Sequence, residues 1–134
     1  MKSLNIHTVV TGILLATSGA LWAQSAAPEA AKPAEFPADA TVPAAAELAG
    51  LLANKVWHAQ FANGQKVRYQ FRGDYVYIDL SPGASDTGNW RTEDGRLCAE
   101  MRRFPSGCSD TRLVGGNIVI RRVVNGELVV IAPN

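Results

Sequence analysis

The chain has 134 residues, 47% of them hydrophobic, and a formal net charge of +1, which bounds it to one small domain once any targeting segment is set aside. Residues 24–54 carry one lysine, Lys32, against Glu29, Glu35, Asp39 and Glu47, whereas from residue 55 onward eleven Lys/Arg face eight Asp/Glu. That surplus is too small for the clustered basic footprint of a nucleic-acid binder, so no nucleic-acid partner is expected.

Residues 1–23 read as a secretory signal peptide. Lys2 supplies a positive start, residues 9–21 are apolar and uncharged, and Ser18, Gly19, Ala20 and Ala23 are small residues near a cleavage point. Cleavage is expected after Ala23 or, with Ala23 three residues before the cut, after Ser25. The apolar run falls short of the roughly 20 residues that span a bilayer, so no transmembrane segment is expected after cleavage. No cysteine follows the cut to carry a lipid, and no twin arginine precedes it. The expected location is periplasmic or secreted.

Residues 24–42 are rich in Ala and Pro and offer too little apolar surface to offset their ordering entropy, so they are expected to form a flexible linker. The folded part is expected over 43–134. It opens with a short helix, because Pro43 is tolerated at an early helical position and Leu48, Leu51 and Leu52 share one face. Asn54 is its expected stop.

From residue 55 the apolar pattern changes to period two. Trp57, Ala59 and Phe61 alternate with His58 and Gln60, and Asn63-Gly64 follows as a hairpin signal with positive φ expected at both turn positions. Val67, Tyr69 and Phe71 alternate next, Gly73-Asp74 turns, and Val76, Ile78 and Leu80 alternate in their turn. Residues 81–87 are expected to form a loop. Residues 88–92 form a short strand with Trp90, and Asp94-Gly95 turns into a strand from Arg96. Strands over 108–114, 117–124 and 127–132 are separated by Gly115-Gly116 and Asn125-Gly126. The fold class expected is all-β: about eight short antiparallel strands in an up-and-down meander, closing into a small barrel or remaining a half-barrel, preceded by one short helix. Trp57, Phe61, Phe71 and Trp90 look like interior filling, which leaves little room for a large ligand.

In an oxidising compartment Cys98 and Cys108 are expected to form a disulfide, since a metal site would need more ligands than His58 alone can add. Pairing across the 104–107 turn would misalign the two cysteines, so the strand from Arg96 is expected to end near Cys98. Residues 99–107 then project as a loop tied at its base.

These residues resemble a family of small secreted proteobacterial β domains of unknown function. The likeness is carried in order by Leu48 and Leu51-Leu52, Lys55-Val56-Trp57, Asn63-Gly64, Tyr69-Gln70-Phe71, Asp86-Thr87-Gly88-Asn89-Trp90-Arg91, Leu97-Cys98 and a second cysteine about ten residues on, Cys108. It spans residues 45–134. One departure is Gly73-Asp74, where the family's turn reads Asp-Gly. The resemblance implies the β fold and the disulfide, and brings no catalytic residue with it.

Catalytic chemistry finds little to work with. His58, the one histidine after the expected signal, lies on the polar side of a strand, far from the arrangement a Ser/His/Asp system requires. Glu93 and Asp94 adjoin a turn glycine, and turn chemistry accounts for Asp94 better than glycosidase chemistry does. No catalytic residue, metal or cofactor is therefore expected. Two surface features remain. Tyr75 and Tyr77 share a face with Arg68 and Arg72 on the adjacent strand, and the tied loop displays Arg102, Arg103 and Phe104. Aromatic residues and arginines are enriched where proteins bind one another. The expectation is a non-enzymatic binding module for an unknown protein or envelope component. An inhibitor of an envelope hydrolase (a lysozyme or protease) and a small-ligand carrier of lipocalin type are the alternatives.

Overall fold

A computed structural model describes residues 34–133; the expected signal peptide and the first part of the expected linker lie outside them. Helix α1 (Ala45–Leu52) is followed by β1 (Val56–Gln60), β2 (Lys66–Arg72), β3 (Tyr75–Ser81) and β4 (Ser85–Glu93). The chain continues through β5 (Arg96–Met101), β6 (Gly107–Val114), β7 (Asn117–Arg121) and β8 (Leu128–Pro133). Each strand pairs antiparallel with the next, and β8 returns to β1 through Trp57↔Pro133 and His58↔Ala132, giving a closed barrel rather than a half-barrel. Closure removes the unpaired edges that a half-barrel would have to protect.

Period-two alternation sorts the side chains. Trp57, Val67, Phe71, Val76, Leu97, Ile118, Val129 and Ile131 are buried in the interior, while Lys66, Arg72, Arg91, Arg96 and Glu100 are exposed outside. An apolar interior and a charged exterior reverse the arrangement of a membrane-spanning barrel. No helix among the described residues is long and apolar enough to cross a membrane.

The meander gives the barrel two unlike ends. Even-to-odd turns and α1 gather at one end; the β1–β2, β3–β4, β5–β6 and β7–β8 loops gather at the other. Leu48 and Leu52, four residues apart on α1, are 0% exposed. Burying each contributes about 1.5–3 kcal/mol. The β4–β5 turn holds the helix start: Asp94 Oδ1 accepts the Ala45 N–H at 2.9 Å, and the Thr92 hydroxyl donates to the Ala45 carbonyl at 2.7 Å. Asp94 thus serves a helix start as well as its turn. The helix ends at Ala53, whose ψ of 133° is extended, and Asn54 follows at φ 57° in the turn into β1.

Several local expectations are corrected. In Asn63-Gly64 and Asn125-Gly126 only the glycines have positive φ. Both loops are longer than two residues: Phe61 N–H donates to the Gln65 carbonyl, and Arg122 N–H to that of Glu127. Each asparagine carboxamide instead accepts the N–H two residues on, from Gln65 and from Glu127, which stabilises the turn locally. The loop expected over 81–87 shrinks to 82–84, because β4 begins at Ser85 and pairs with Asp79 of β3. Nor does the strand from Arg96 end at Cys98. It runs to Met101, with Cys98 directly opposite Cys108 and Ala99 opposite Gly107, because its other edge is held by β4 as far as Gly88↔Met101. The projecting loop is thereby cut to 102–106.

The linker expected over 24–42 lies along the barrel from residue 34 onward. Pairing of β5 with β6 stops at Arg96↔Asp110, and Thr41 takes up the β6 edge that continues, exchanging backbone hydrogen bonds with Leu113 at 2.8 and 2.9 Å. The Phe36 ring sits 4.9 Å from the guanidinium carbons of both Arg112 and Arg121, and Arg121 donates to the Ala34 carbonyl. These contacts supply what composition alone could not: a partner surface.

Candidate functional site

The end opposite α1 is hollow. Inward positions on three adjacent strands are small: Ala99 on β5 and Gly107 and Ser109 on β6, with Ala99 directly opposite Gly107. Gly88 on β4 continues the run, and a Cβ there would overlap the Glu100 carbonyl and the Met101 sulfur. Large residues on the facing strands cannot fill the space these leave, and a cup of about 220 Å³ remains. Phe71 and Trp90 line it toward the closed end; Phe104, Val123 and Val124 line its mouth. The Phe71 and Trp90 rings meet edge-on at 4.9 Å, and Trp90 Nε1 donates to the Gly73 carbonyl at 2.8 Å, which fixes the indole. Phe61, Phe71 and Trp90 therefore line a cavity as well as packing the core; of the four aromatics expected to be filling, Trp57 alone lies outside the lining.

The cup has a polar corner. Arg122 lies 3.6 Å above the Phe61 ring and donates to Glu127 Oε2 at 2.8 Å, while Glu127 Oε1 accepts the Ala62 N–H at 2.6 Å. Burial alone would raise the Glu127 pKa. The hydrogen bonds from Arg122 and Ala62, the Arg122 charge and Asn125 outweigh it and hold the carboxyl below its ordinary value. Half-buried Tyr69 also lines the cup. Desolvation pushes its phenol up to about 12, with the Arg122 charge opposing and the Glu127 charge adding, so it stays a protonated donor at neutral pH.

A second carboxylate secures the rim. Asp86 is buried, and its Oδ2 accepts the Arg103 N–H at 2.7 Å and the Phe104 N–H at 2.9 Å, while Oδ1 accepts the Thr87 N–H at 2.9 Å. Burial raises its pKa; those three N–H groups and the Arg103 charge outweigh it and hold it below the usual carboxylate range. The Arg103 guanidinium donates to the Ser85 carbonyl at 2.7 Å. Loop 102–106 is thus clamped to β4, with Phe104 turned into the cup.

The residues singled out in sequence separate accordingly. Cys98 and Cys108 form the disulfide as a directly opposed cross-strand pair. Of the loop triplet, Arg103 anchors the loop, Phe104 lines the cup, and Arg102 is exposed beside Tyr77 in a shallow outer depression. Tyr75 and Tyr77 face outward with Arg72 beside them, whereas Arg68 stands opposite Asp79, one step further along the sheet. His58 is exposed on β1. Glu93, Cys98 and Cys108 bring ligand-type atoms within 4.8 Å of one another, but both sulfurs are spent in the disulfide and offer no thiolate. Sequence reading missed Tyr69, Asp86, Arg122 and Glu127. Parity could have found the last two, since Ile118, Ile120 and Arg122 alternate, as do Glu127, Val129 and Ile131. Reading Asn125-Gly126 as a two-residue turn concealed it. Comparison with known protein families, with curated proteins and with solved structures found no match.

Proposed function

We propose that this protein is an exported binding protein for a compact apolar ligand, held in the open end of the barrel. The observation that supports this most is the cup of about 220 Å³, walled by fixed aromatic rings and by the small residues Ala99, Gly107 and Ser109. An apolar cavity of about 150 Å³ already accepts benzene, which sets the scale of the occupant: one ring with a short substituent. The signal-like first 23 residues and the Cys98–Cys108 disulfide support action outside the cytoplasm, in the periplasm or beyond the cell. No reaction is assigned, and the site is read as one that binds.

Titrating the oxidised protein with toluene tests the reading, with Trp90 in the cup wall as a built-in fluorophore. A saturable one-to-one change in emission is expected, matched by the heat of binding. Ala99→Leu, which fills the cup, should abolish it while retaining a cooperative melt. Wild-type protein that gives no saturable response to toluene or to other single-ring apolar compounds would refute the cup as a binding site.

A second reading has its own observation: Tyr75 is 58% exposed, and Tyr77 and Arg102 border one outer depression. Those three side chains, with Arg103 at the edge of the same depression and Phe104 turned into the cup, are what a protein or envelope partner would meet. Replacing all three with alanine should then abolish partner capture and leave toluene binding intact.

A further inference from the structure

We infer that the ligand of the cup carries an uncharged hydrogen-bond acceptor, a carbonyl or ester oxygen on its apolar body, received by the Tyr69 hydroxyl and the Arg122 guanidinium. This rests on the cup reading and adds the chemistry of the ligand's polar end.

The polar groups that face the cavity, and how each is occupied, set the chemistry of the ligand. Tyr69, Ser109 and Arg122 bring polar side chains to an otherwise apolar lining. Arg122 is held in place from several sides: its guanidinium stacks on Phe61, one terminal nitrogen is bonded to Glu127, and its backbone N–H and carbonyl are engaged by Glu127 and Gly126. A guanidinium has five N–H donors in a rigid fork, so bonding to Glu127 leaves donors over. Tyr69 lines the cup together with Arg122, and its hydroxyl takes part in no hydrogen bond among the described residues. Glu127, by contrast, has both oxygens engaged, one by Ala62 and one by Arg122. Glu127 is not among the residues lining the cup, so the corner presents the Arg122 and Tyr69 donors to the cavity and only hydroxyl oxygens as side-chain acceptors.

Charge decides between an acceptor that is neutral and one that is ionised. Arg122 and Glu127 are 2.8 Å apart, so the corner carries no net charge. A carboxylate ligand would give up its hydration for a site of no net charge, beside a carboxylate that is already there. A cationic ligand would face the Arg122 guanidinium and find only hydroxyl oxygens to accept its hydrogen bonds. A neutral carbonyl loses little hydration and gains the waiting donors.

Three single-ring probes separate the possibilities: toluene, acetophenone and benzoate, titrated calorimetrically into the oxidised protein at neutral pH. Acetophenone should bind about tenfold more tightly than toluene, the worth of one well-made hydrogen bond, and more tightly than benzoate. Tyr69→Phe should reduce the ratio of acetophenone to toluene affinity severalfold. Toluene binding as tightly as acetophenone would overturn the inference and leave the cup standing. Benzoate binding tightest would overturn the uncharged acceptor. Binding of none of the three would remove the cup reading itself.

Discussion

The two ends of this barrel are built by one meander and closed in opposite ways. At the helix end, Leu48 and Leu52 fill the interior completely, and the hydrogen bonds that hold α1 come from a tight turn, through Thr92, Asp94 and Gly95. At the other end Ala99 of β5 and Gly107 and Ser109 of β6 are small, and the surrounding loops are held by carboxylates: Asp86 grips loop 102–106, and Glu127 ties the β7–β8 loop to Ala62. One end spends its apolar surface on stability. The other leaves apolar surface facing a cavity and fixes its rim with charge-assisted bonds, which position without filling. A binding site on such a fold belongs where packing stops but geometry does not.

The comparison can be broken most forcefully at the closed end. Leu52→Ala should cost about 2–5 kcal/mol, seen as a large fall in denaturation midpoint. In the fraction still folded, toluene affinity should stay within severalfold of wild type; a proportionate loss of intrinsic affinity would mean the ends are not separable. The disulfide comes next. It closes a loop of sequence separation 10 and ties the β5–β6 hairpin below the rim. Cys98→Ser with Cys108→Ser should cost about 2–3 kcal/mol on the loop-entropy scale, read as a lower Tm that reducing agent no longer changes.

The smallest effect is the most selective. Asp86 and Glu127, both at the open end, have carboxyl pKa values below their ordinary ones in the folded protein. Their contribution to stability is therefore full above the unfolded values of about 3.9 and 4.3 and is lost as pH falls through the lower folded values. On acidification, amide exchange normalised to its intrinsic rate at each pH should accelerate at Arg103, Phe104 and Ala62 before it does at Ala45 or Leu48. Asp86→Asn should reproduce the Arg103 and Phe104 part at neutral pH, with exchange there faster by roughly tenfold. Uniform acceleration at both ends would show that the carboxylates stabilise the barrel as a whole.

Much of the architecture was legible because it depends on short-range pattern. Alternation in Val67-Tyr69-Phe71 and Val76-Ile78-Leu80 marks strands and their inner face without reference to any neighbour. The i, i+3, i+4 leucines mark the helix in the same way. The site was less legible because its residues are defined by what stands across from them. Ala99 and Gly107 are unremarkable small residues until register sets them face to face. Phe104 reads as an exposed loop aromatic until Asp86, eighteen positions earlier, pulls its backbone inward. The tail over 34–42 reads as a linker until the free edge of β6 receives Thr41.

What the sequence by itself determined is the set of elements, the inward face of each strand and the chemistry available to the two cysteines, since each follows from periodicity or composition within a few residues. Tertiary structure alone decided that the sheet closes, that Cys98 meets Cys108 across adjacent strands, and that one end of the barrel is filled while the other is a cup. Those outcomes depend on register and on summed side-chain volume between segments far apart in the chain, and a gap between walls exists only once both walls are in place.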